Sequence, residues 1–343
     1  MRLVQIYNKS ERRVAIVEEP ALLPIRQFTS IYELALHFLI SRTSLTSLLA
    51  GSPTSFTDLA RSLTTDEVLD YDPIYRGKSA WRLLPPLDHP TSPERCLISG
   101  TGLTHLGSAK NRQAMHGDAV KEMTDSMKMF QWGVEGGKPA PGKVGIAPEW
   151  FYKGNGTILR GHAEPLTMPP FAEDGGEEAE IAGLYIIAPD GVPLRVGMAQ
   201  GNEFSDHVFE KKNYLNLAGS KLRECAIGPE LVIGADFNSV AGESRIERGA
   251  QTIWSKEVRT GESEMCHSLA NIEHHHFKFE AHRQPGDVHI HYYGAHSLSF
   301  GDGIRCADGD TMIVRWDGFG RALKNPLRRE PPSGKAVVAL PMK

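Results

Sequence analysis

The sequence predicts a mixed α/β fold rich in β-structure, in which a small N-terminal α+β domain precedes a larger β-rich domain. The first 90 residues combine a strand hairpin with a segment of helical periodicity, whereas the chain from Cys96 onward consists mainly of short apolar runs separated by Gly and Pro. Many short strands at near-regular spacing with few helices are typical of barrels and rolled sheets. We therefore place the two domains at 1–90 and 91–343.

The N-terminal domain begins with two alternating runs, RLVQIY and RRVAIVEE, which the polar stretch NKSE joins. This arrangement predicts a β-hairpin. The next segment, SIYELALHFLISRTSLTSLLA, predicts a helix, because its apolar residues recur at helical spacing and it opens with Ser30 and Glu33 in the spacing of a capping box. The stretch YDPIYRGKSAWRLLPPLDHPTSPER is rich in Pro and charge and predicts a linker.

The larger domain alternates apolar runs with turn residues. GLYIIAPDGVPLRVGMAQGNEF predicts a hairpin, because the turn sequence PDG separates two apolar runs. Further strands are predicted in GPELVIG, HHHFKFEAH, DVHIHYYG, DTMIVRWDG and KAVVALP. Helical patterning returns in SAKNRQAMHGDAVKEMTDSMKMF and, more weakly, around KKNYLNLAGSKL.

The composition argues against two classes of function. The chain has 343 residues, of which 40% are hydrophobic and 23% charged, and its formal net charge is −4 without a long basic run. Nucleic-acid and membrane-surface binding both require concentrated positive charge, so neither is expected. The four cysteines show no CxxC spacing, and the N-terminus lacks the features of a signal peptide. We expect a soluble protein in the reducing cytoplasm.

Two glutamates stand at the start of an otherwise apolar run. Glu178 and Glu180 are two residues apart in EEAEIAGLYII, so in a strand their side chains would lie on the same face. Like charges at such a distance are unfavourable unless a cation lies between them. The partner strand of the hairpin offers Glu203 and Asp206, and an all-oxygen set of this kind suits Mg²⁺, Mn²⁺ or Ca²⁺ rather than zinc. A pair of solvated carboxylates at a strand end is the alternative.

Two lysines lie where apolar runs meet loops. Lys153 ends the run EWFYK before a Gly-rich loop, and Lys221 precedes the run that leads to Gly-Pro. Lysines in a cleft can hold an anionic substrate or stabilise a developing negative charge. Solvated surface lysines are the alternative, and the residues themselves leave both open.

Two further patterns remain less specific. The segment 273–296 contains seven histidines: His274, His275, His276, His282, His289, His291 and His296. Alternation in the predicted strand DVHIHYYG would place His289 and His291 on one face, where they could be metal ligands or structural groups. The Gly-rich loop GTGLTHLGSAK before a helix could bind an anion. It matches neither GxGxxG nor GxxxxGK[ST], so we exclude a nucleotide site.

The order of these segments resembles that of the fumarylacetoacetate hydrolase family, in particular its bacterial sugar-acid branch. The family pattern runs from a Phe-rich strand ending in Lys through ExE, Asn-Asp-x-Ser, a Lys before Gly-Pro, and Pro-Gly-Asp to Gly-x-Leu-x-Asn. The corresponding segments here are WFYKGNG, EEAEIAG, GNEFSDH, GSKLRECAIGP, QPGDVHIHYYG and GFGRALKNPL, in the same order. The resemblance covers roughly 96–327, and its specificity lies in that shared order.

The resemblance implies a catalytic domain with a β-roll fold, usually dimeric, that binds Mg²⁺ and a 2-oxo acid. It implies that Glu178 and Glu180 are metal ligands and that Glu203 takes the place of the family's third ligand, an aspartate, with Asp206 as the other candidate. It also implies that Lys153 and Lys221 are the active-site lysines, which act in catalysis and in substrate binding.

The early family motif GLNYxxHxxE, which supplies an acid/base His and Glu in many members, reads GLTHLGSAKNR here. His105 falls on the tyrosine position and Ser108 on the histidine position, so we retain them as candidate catalytic and substrate-binding residues. His116 and Glu122 further along are a second candidate acid/base pair. Gly294 corresponds to the glycine that follows the Pro-Gly-Asp strand and is a candidate substrate-binding residue.

The activity that the resemblance implies is a metal-dependent dehydratase of 2-keto-3-deoxy sugar acids derived from pentoses or related sugars. Loss of the His/Glu pair favours dehydration over C–C hydrolysis, in which an activated water attacks a carbonyl. The alternatives are a diketo-acid or acylpyruvate hydrolase on the same metal site and a non-catalytic sugar-acid-binding protein. The two lysines argue against simple binding, which could use Arg or backbone groups. We expect a small-molecule substrate and a homodimer.

Overall fold

The computed structural model describes residues 1–43, 55–115, 123–334 and 336–342. It confirms a mixed α/β structure rich in strands. No helix within these ranges is both long enough and apolar enough to cross a bilayer.

Eighteen strands occur in the described part of the chain. In chain order they are β1 (Arg2–Asn8), β2 (Glu11–Glu18), β3 (Ala21–Pro24), β4 (Leu69–Asp70), β5 (Arg82–Leu83), β6 (Cys96–Gly102), β7 (Glu149–Asn155), β8 (Leu159–Arg160), β9 (Leu166–Met168), β10 (Ala179–Ile187), β11 (Pro193–Asn202), β12 (Cys225–Ile227), β13 (Leu231–Val232), β14 (Val240–Arg248), β15 (Gln251–Thr260), β16 (Val288–Tyr292), β17 (Thr311–Trp316) and β18 (Leu323–Arg329).

Eight α-helices connect these strands within the same residues. They are α1 (Ile31–Thr43), α2 (Phe56–Ser62), α3 (Tyr71–Tyr75), α4 (Leu106–Met115), α5 (Asp125–Gly136), α6 (His207–Lys212), α7 (Leu217–Lys221) and α8 (Leu269–Phe277). Short 3₁₀ turns occur at Pro93–Arg95, Gly156–Ile158, Tyr214–Asn216, Glu280–His282 and Ser299–Asp302.

The larger sheet curls into a roll. Its main path follows the order β4-β3-β2-β1-β13-β11-β10-β16-β6-β7. The 3₁₀ turn Gly156–Ile158 then leads from β7 into β8, which pairs in parallel with β12, and β12 pairs with β11. After β7 the chain therefore returns, through β8 and β12, to β11, which is the neighbour of β10. This closure brings the end of β7 close to the β10–β11 hairpin.

The second sheet has the order β15-β14-β17-β18-β9 and packs against the roll. Alternate residues of β10 enter two different apolar cores, which is why the whole strand is buried. Ala182 and Leu184 belong to the core that includes residues of α1. Ile181 belongs to the core that includes Val258 and Trp316 of the second sheet. Burial on both faces explains the continuous apolar run.

The predicted N-terminal hairpin and the beginning of the predicted helix are confirmed. β1 and β2 form the predicted hairpin, and Ser30 Oγ accepts the Glu33 N–H at 3.1 Å where α1 begins. The Glu33 carboxylate reaches back to the N–H of Thr29, at 2.9 Å, rather than to that of Ser30. Beyond residue 43 the predicted helix lies outside the described residues.

The N-terminal strands belong to the larger sheet, because β1 pairs with β13. The stretch predicted as a linker, 71–95, contains α3, β5 and the 3₁₀ turn Pro93–Arg95, and Tyr71 within it is fully buried. The division into 1–90 and 91–343 remains a prediction.

Two predicted strands are wrong. The segment HHHFKFEAH forms the end of α8 and a 3₁₀ turn, because Ser268 caps the helix at the Asn271 N–H, at 3.2 Å, and Leu269 and Ile272 bury one helical face. The segment KAVVALP forms no strand in 336–341, where Val337 and Leu340 are exposed.

The long antiparallel pair β14–β15 was not predicted. Its sequence VAGESRIERGAQTIWSKEVRT alternates buried and exposed residues, and the turn residue Gly249 lies between the two strands. This alternation with a period of two residues could have predicted the hairpin.

Candidate metal-binding site

Three glutamates meet where β10 begins and β11 ends. Glu178 immediately precedes β10, Glu180 lies on it, and Glu203 follows the last residue of β11. The two strands are antiparallel neighbours, with Ala179 opposite Asn202, so these positions adjoin. The three carboxylates offer oxygens within 4.8 Å of one another, and among the described residues no other group of three potential ligands is so close.

Local hydrogen bonds fix these carboxylates. Asn202 Oδ1 accepts the Glu178 N–H at 3.1 Å, and the Glu203 N–H donates to the Glu178 carbonyl at 2.9 Å. The Gly294 N–H donates to Glu180 Oε2 at 2.7 Å. Gly294 has φ +102°, and a Cβ there would lie 2.0 Å from Thr104 Oγ1, so both the conformation and the space require glycine.

Lys221, the last residue of α7, lies against two of the three glutamates. Its Nζ is 2.5 Å from Glu178 Oε1 and 2.5 Å from Glu203 Oε2, and it donates to Ser205 Oγ at 2.9 Å. The side chain is 1% exposed. The ammonium also lies 4.8 Å from the centroid of the Phe151 ring, a distance at which a cation–π contact adds to its stabilisation.

Lys153 reaches the same centre from β7, as a result of the closure of the roll. Its Nζ is 2.5 Å from Glu203 Oε1 and donates to the carbonyls of Phe204, at 2.8 Å, and Lys221, at 3.0 Å. Phe204 is a non-glycine residue with φ +53°, so the backbone adopts the left-handed region where it offers this carbonyl. The two lysines thus contact both oxygens of Glu203.

Burial and charge shift the pKa values of these groups in opposite directions. Burial opposes the charge of Lys221, but Glu178 and Glu203 outweigh it and raise its pKa. Burial also opposes the charge of Glu178, yet Lys221 and His207 lower the pKa of that carboxyl well below its usual value. Burial and the two neighbouring carboxylates raise the pKa of Glu180 well above its usual value. Burial lowers the pKa of Lys153 despite the opposing effect of Glu203.

A second ionic cluster lies beside Lys221. Arg112 on α4 donates through Nη1 to both oxygens of Glu149, each at 2.8 Å, and its Nε lies 2.8 Å from Glu210 Oε1. Tyr214 donates to Glu149 at 3.0 Å. This cluster ties α4 to β7 and α6, and the sequence reasoning did not identify it because its members are far apart in the chain.

Counting both clusters, five carboxylates face three cationic side chains, which leaves a formal charge of −2 when all are ionised. A buried excess of negative charge is unfavourable unless a cation or protons balance it. A divalent ion would offset this excess. The three carboxylates Glu178, Glu180 and Glu203 are oxygen donors of the type that Mg²⁺ prefers, so the residues present fit this metal.

Glu203, rather than Asp206, completes the triad. Asp206 accepts the Phe209 N–H at 2.9 Å as the N-cap of α6, and it pairs with Arg223 at 3.0 Å. The neighbouring His207 was missed by the sequence reasoning, although it lies within GNEFSDH. Its Nε2 lies 3.0 Å from Glu178 Oε1; burial opposes its charge, but Glu178 outweighs burial and raises its pKa.

His105, which immediately precedes α4, and Ser108 on α4 form no hydrogen bond with the three glutamates. His105 is buried, with its ring nitrogens 2.9 Å from Thr104 Oγ1 and 3.1 Å from Thr260 Oγ1, and burial lowers its pKa to about 3. Ser108 donates to the carbonyl of His105 at 2.9 Å, within its own helix. His116 and Glu122 lie outside the described residues.

Three histidines of the histidine-rich segment, His276, His289 and His291, pack together in the core. His276 lies 2.9 Å from His289, and the two nitrogens of His291 contact Ser99 at 2.8 Å and Thr101 at 2.7 Å. Burial lowers the pKa of His289 and of His291 to about 3. Among the described residues the histidines form no metal-ligand group, so the zinc alternative finds no support there.

Comparison with known proteins identifies the fold. No family model matches the sequence, and no curated protein matches it. Among solved structures, 2-keto-3-deoxyarabinonate dehydratase matches with a TM-score of 0.70 at 16% identity, over 96% of this chain and 99% of that one. The form described as 2-keto-3-deoxy-D-arabinonate dehydratase complexed with magnesium and 2,5-dioxopentanoate matches with a TM-score of 0.68 at 16% identity, over 96% and 100%.

A second type of enzyme has the same fold. 5-Carboxymethyl-2-hydroxymuconate delta-isomerase from Mycobacterium smegmatis matches with a TM-score of 0.54 at 18% identity, over 96% of this chain and 100% of that one. The resemblance seen in the sequence is thus confirmed at the level of the fold, and the chain has the fumarylacetoacetate hydrolase-like fold.

Proposed function

We propose that the protein is a divalent-metal-dependent dehydratase of 2-keto-3-deoxy sugar acids. The observation that carries this proposal is the buried triad Glu178, Glu180 and Glu203 with Lys153 and Lys221 against its carboxylates. Support comes from the fold, which is that of a sugar-acid dehydratase complexed with magnesium and 2,5-dioxopentanoate. A cytoplasmic role in pentose or sugar-acid breakdown completes the proposal.

The three glutamates would hold Mg²⁺, with Mn²⁺ or Ca²⁺ as other ions of suitable chemistry. Bound there, the ion supplies a Lewis acid for the 2-oxo and carboxylate oxygens of the substrate. The raised pKa of Glu180 fits this role, because burial and two neighbouring carboxylates oppose the ionised form of this carboxyl and a nearby cation would favour it.

The two lysines supply fixed positive charge at the same place. Lys221 and Lys153 hold the substrate carboxylate and stabilise negative charge on the 2-oxo oxygen as the proton leaves C3. Loss of the C3 proton and of the C4 hydroxyl, which leave together as one water, forms a double bond between C3 and C4 and gives an unsaturated 2-oxo acid. Donors placed in this way contribute about 10²–10³ in rate in other enzymes.

The surroundings of α4 favour dehydration over C–C hydrolysis. Hydrolysis requires a base that activates water for attack on a carbonyl. Of the acid/base candidates within the described residues, Ser108 donates to the carbonyl of His105, and His105 contacts Thr104 and Thr260. A diketo-acid or acylpyruvate hydrolase, or a sugar-acid-binding protein without catalysis, remain the alternatives.

A product analysis tests the proposal. The protein is incubated with 2-keto-3-deoxy pentonates and with a diketo acid, each with Mg²⁺ and with EDTA, and the products are identified by mass. Loss of one water from a sugar acid, dependent on Mg²⁺, is the expected result. Addition of water and cleavage into two acids would replace the dehydratase by the hydrolase, and metal-dependent binding without product from any compound would leave the binding protein.

A further inference from the structure

The segment EEAE contains a third glutamate, Glu177, which is not a member of the triad. Its side chain is buried, and among the described residues no cationic side chain forms an ion pair with it, since His207 pairs with Glu178 instead. Burial raises the pKa of this carboxyl, although hydrogen bonds from Ser299 act in the opposite direction. A buried carboxyl without a cation is unfavourable, so its hydrogen-bond partners must account for its presence here.

Both oxygens of Glu177 bind one residue of a distant loop. The Ser299 N–H donates to Oε1 at 2.8 Å, and the Ser299 hydroxyl donates to Oε2 at 2.5 Å. Ser299 belongs to the loop 294–302, which follows β16 and ends in a 3₁₀ turn. Glu177 therefore ties the chain just before β10 to a loop that lies 122 residues further along.

The same loop contacts two glutamates of the triad, one directly and one through a histidine. At the start of the loop, the Gly294 N–H donates to Glu180 Oε2 at 2.7 Å. Further along, the ring centroid of Phe300 lies 5.3 Å from that of His207, whose Nε2 lies 3.0 Å from Glu178 Oε1. The position of the loop therefore affects the position of both carboxylates.

Apolar packing alone holds this loop weakly. Ala295, Leu298 and Phe300 form a small buried cluster with the partly buried Val208 of α6. This cluster is separate from the two main cores and much smaller than either. Because the stabilisation from burial scales with the apolar area that is buried, the two hydrogen bonds to Glu177 are a substantial part of what fixes the loop.

We propose that Glu177 is a positioning residue of the metal site: it fixes the loop 294–302 and, through this loop, the carboxylates of Glu178 and Glu180. The inference rests on the proposed function, because it assigns a metal to these carboxylates. Groups that hold metal ligands in place from outside the coordination sphere typically contribute about 10–100-fold to metal affinity.

Two substitutions separate the hydrogen bonds of Glu177 from its charge. Glu177→Gln can keep both bonds to Ser299, because the amide oxygen accepts the N–H and the amide nitrogen donates to the hydroxyl. Glu177→Ala removes both bonds. Titration calorimetry with Mg²⁺ on the full chain should show about 10–100-fold weaker binding in Glu177→Ala and an affinity close to that of the wild type in Glu177→Gln.

The matched control is a second buried glutamate that accepts one backbone N–H and one hydroxyl. Glu230 accepts the Arg321 N–H and the Tyr71 hydroxyl, each at 3.0 Å, and belongs neither to the triad nor to the loop. Glu230→Ala should lower the unfolding temperature and leave the Mg²⁺ affinity unchanged. Equal weakening of Mg²⁺ binding in Glu230→Ala and Glu177→Ala would attribute the effect to general destabilisation.

Hydrogen exchange of the metal-free protein tests the anchor without any ion. Backbone amides of 295–300 should exchange faster in Glu177→Ala than in the wild type, and at the wild-type rate in Glu177→Gln. Asp302 accepts Trp254 Nε1 at 3.0 Å in a contact that does not involve Glu177, so the end of the loop should change less.

Each contrary result has a distinct meaning. Wild-type exchange in Glu177→Ala would overturn the anchor, and faster exchange with unchanged Mg²⁺ affinity would overturn the positioning of the glutamates. Weaker Mg²⁺ binding in Glu177→Gln, equal to that in Glu177→Ala, would assign the effect to charge and overturn the proposal. A wild type that binds no Mg²⁺ would overturn the proposed function and this positioning together, whatever the exchange rates show.

Discussion

The ammonium of Lys221 lies 2.5 Å from the carboxylate of Glu203, and both side chains are almost completely buried. A buried pair of this kind adds little net stability, because removing two charges from water offsets most of their attraction. Removing one partner, in contrast, leaves an uncompensated charge. The pair is therefore better explained by a requirement for fixed charge at this place than by stability.

Substitution of Glu180 should separate stability from function. In Glu180→Gln the fold should be as stable as the wild type or more so in the absence of metal, because burial and two neighbouring carboxylates already oppose the charge of this group. Turnover with Mg²⁺ should fall by about a hundredfold or more. Thermal unfolding and product formation measure the two effects. A variant that is active in metal-free buffer would contradict the site assignment.

Removal of the Lys221 ammonium should lower both stability and rate. Lys221→Met leaves Glu178 and Glu203 without the cation that now contacts both, so we expect a loss of about 3–5 kcal/mol in the free energy of unfolding without metal. The rate should fall by about 10²–10³.

A matched control is Lys212→Met, which removes an exposed lysine paired with Glu173 and should change stability by less than about 1 kcal/mol. Chemical denaturation measures both variants. Equal losses of stability in the two would show that the buried ammonium contributes no more than a surface charge.

Replacement of Gly294 should affect the site as well as the backbone. Gly294→Ala adds a Cβ that would lie 2.0 Å from Thr104 Oγ1 and displaces the N–H that binds Glu180. Gly303→Ala is the control, because Gly303 also has a positive φ, +80°, but has open space around it. We expect Gly294→Ala to lose at least about 1–2 kcal/mol more than the control, with weaker Mg²⁺ binding. Similar losses, with unchanged metal affinity, would remove Gly294 from the site.

Acid should destabilise the fold through its buried imidazoles. Burial lowers the pKa of His105, His289 and His291 to about 3, below the unfolded value of about 6.5. The unfolded chain then binds more protons than the native chain between these values, so the free energy of unfolding falls as the pH drops below about 6.5. Each imidazole contributes up to about 1.4 kcal/mol per pH unit.

Paired variants isolate this contribution from that of the carboxyls with raised pKa, which acts in the opposite direction. The slope of stability against pH should become shallower in His291→Gln, whereas His274→Gln, at an exposed position, should keep the slope of the wild type. Denaturation at several pH values measures the slopes, and identical slopes for both variants would refute this explanation.

Much of the fold follows from local patterns in the sequence. The β1–β2 and β10–β11 hairpins were predicted from alternation and turn residues, and the pairing of strands bears them out. The segment HHHFKFEAH was wrongly predicted as a strand, because its alternation resembles that of a strand. The Ser268 cap and tertiary packing select a helix instead. The closure of the roll through β8 and β12 was not predictable, because each strand has only two or three residues.

The candidate site could be predicted where its residues are close in sequence or belong to a family motif. Glu178 and Glu180 were found from their spacing, and Glu203 from the hairpin that brings it to them. The Arg112–Glu149 pair was not found, because 37 residues separate its members and each resembles an ordinary surface charge. Only the three-dimensional structure shows that the two are buried together.

Direct measurement of metal binding tests the central claim most closely. Titration calorimetry with Mg²⁺, and with Mn²⁺ in parallel, should show one site per chain in the wild type and a loss of that site in Glu180→Gln. Glu135→Gln, which changes an exposed glutamate of α5, should bind like the wild type. A wild type that binds no divalent ion, or a Glu180→Gln variant that binds as tightly as the wild type, would contradict the account.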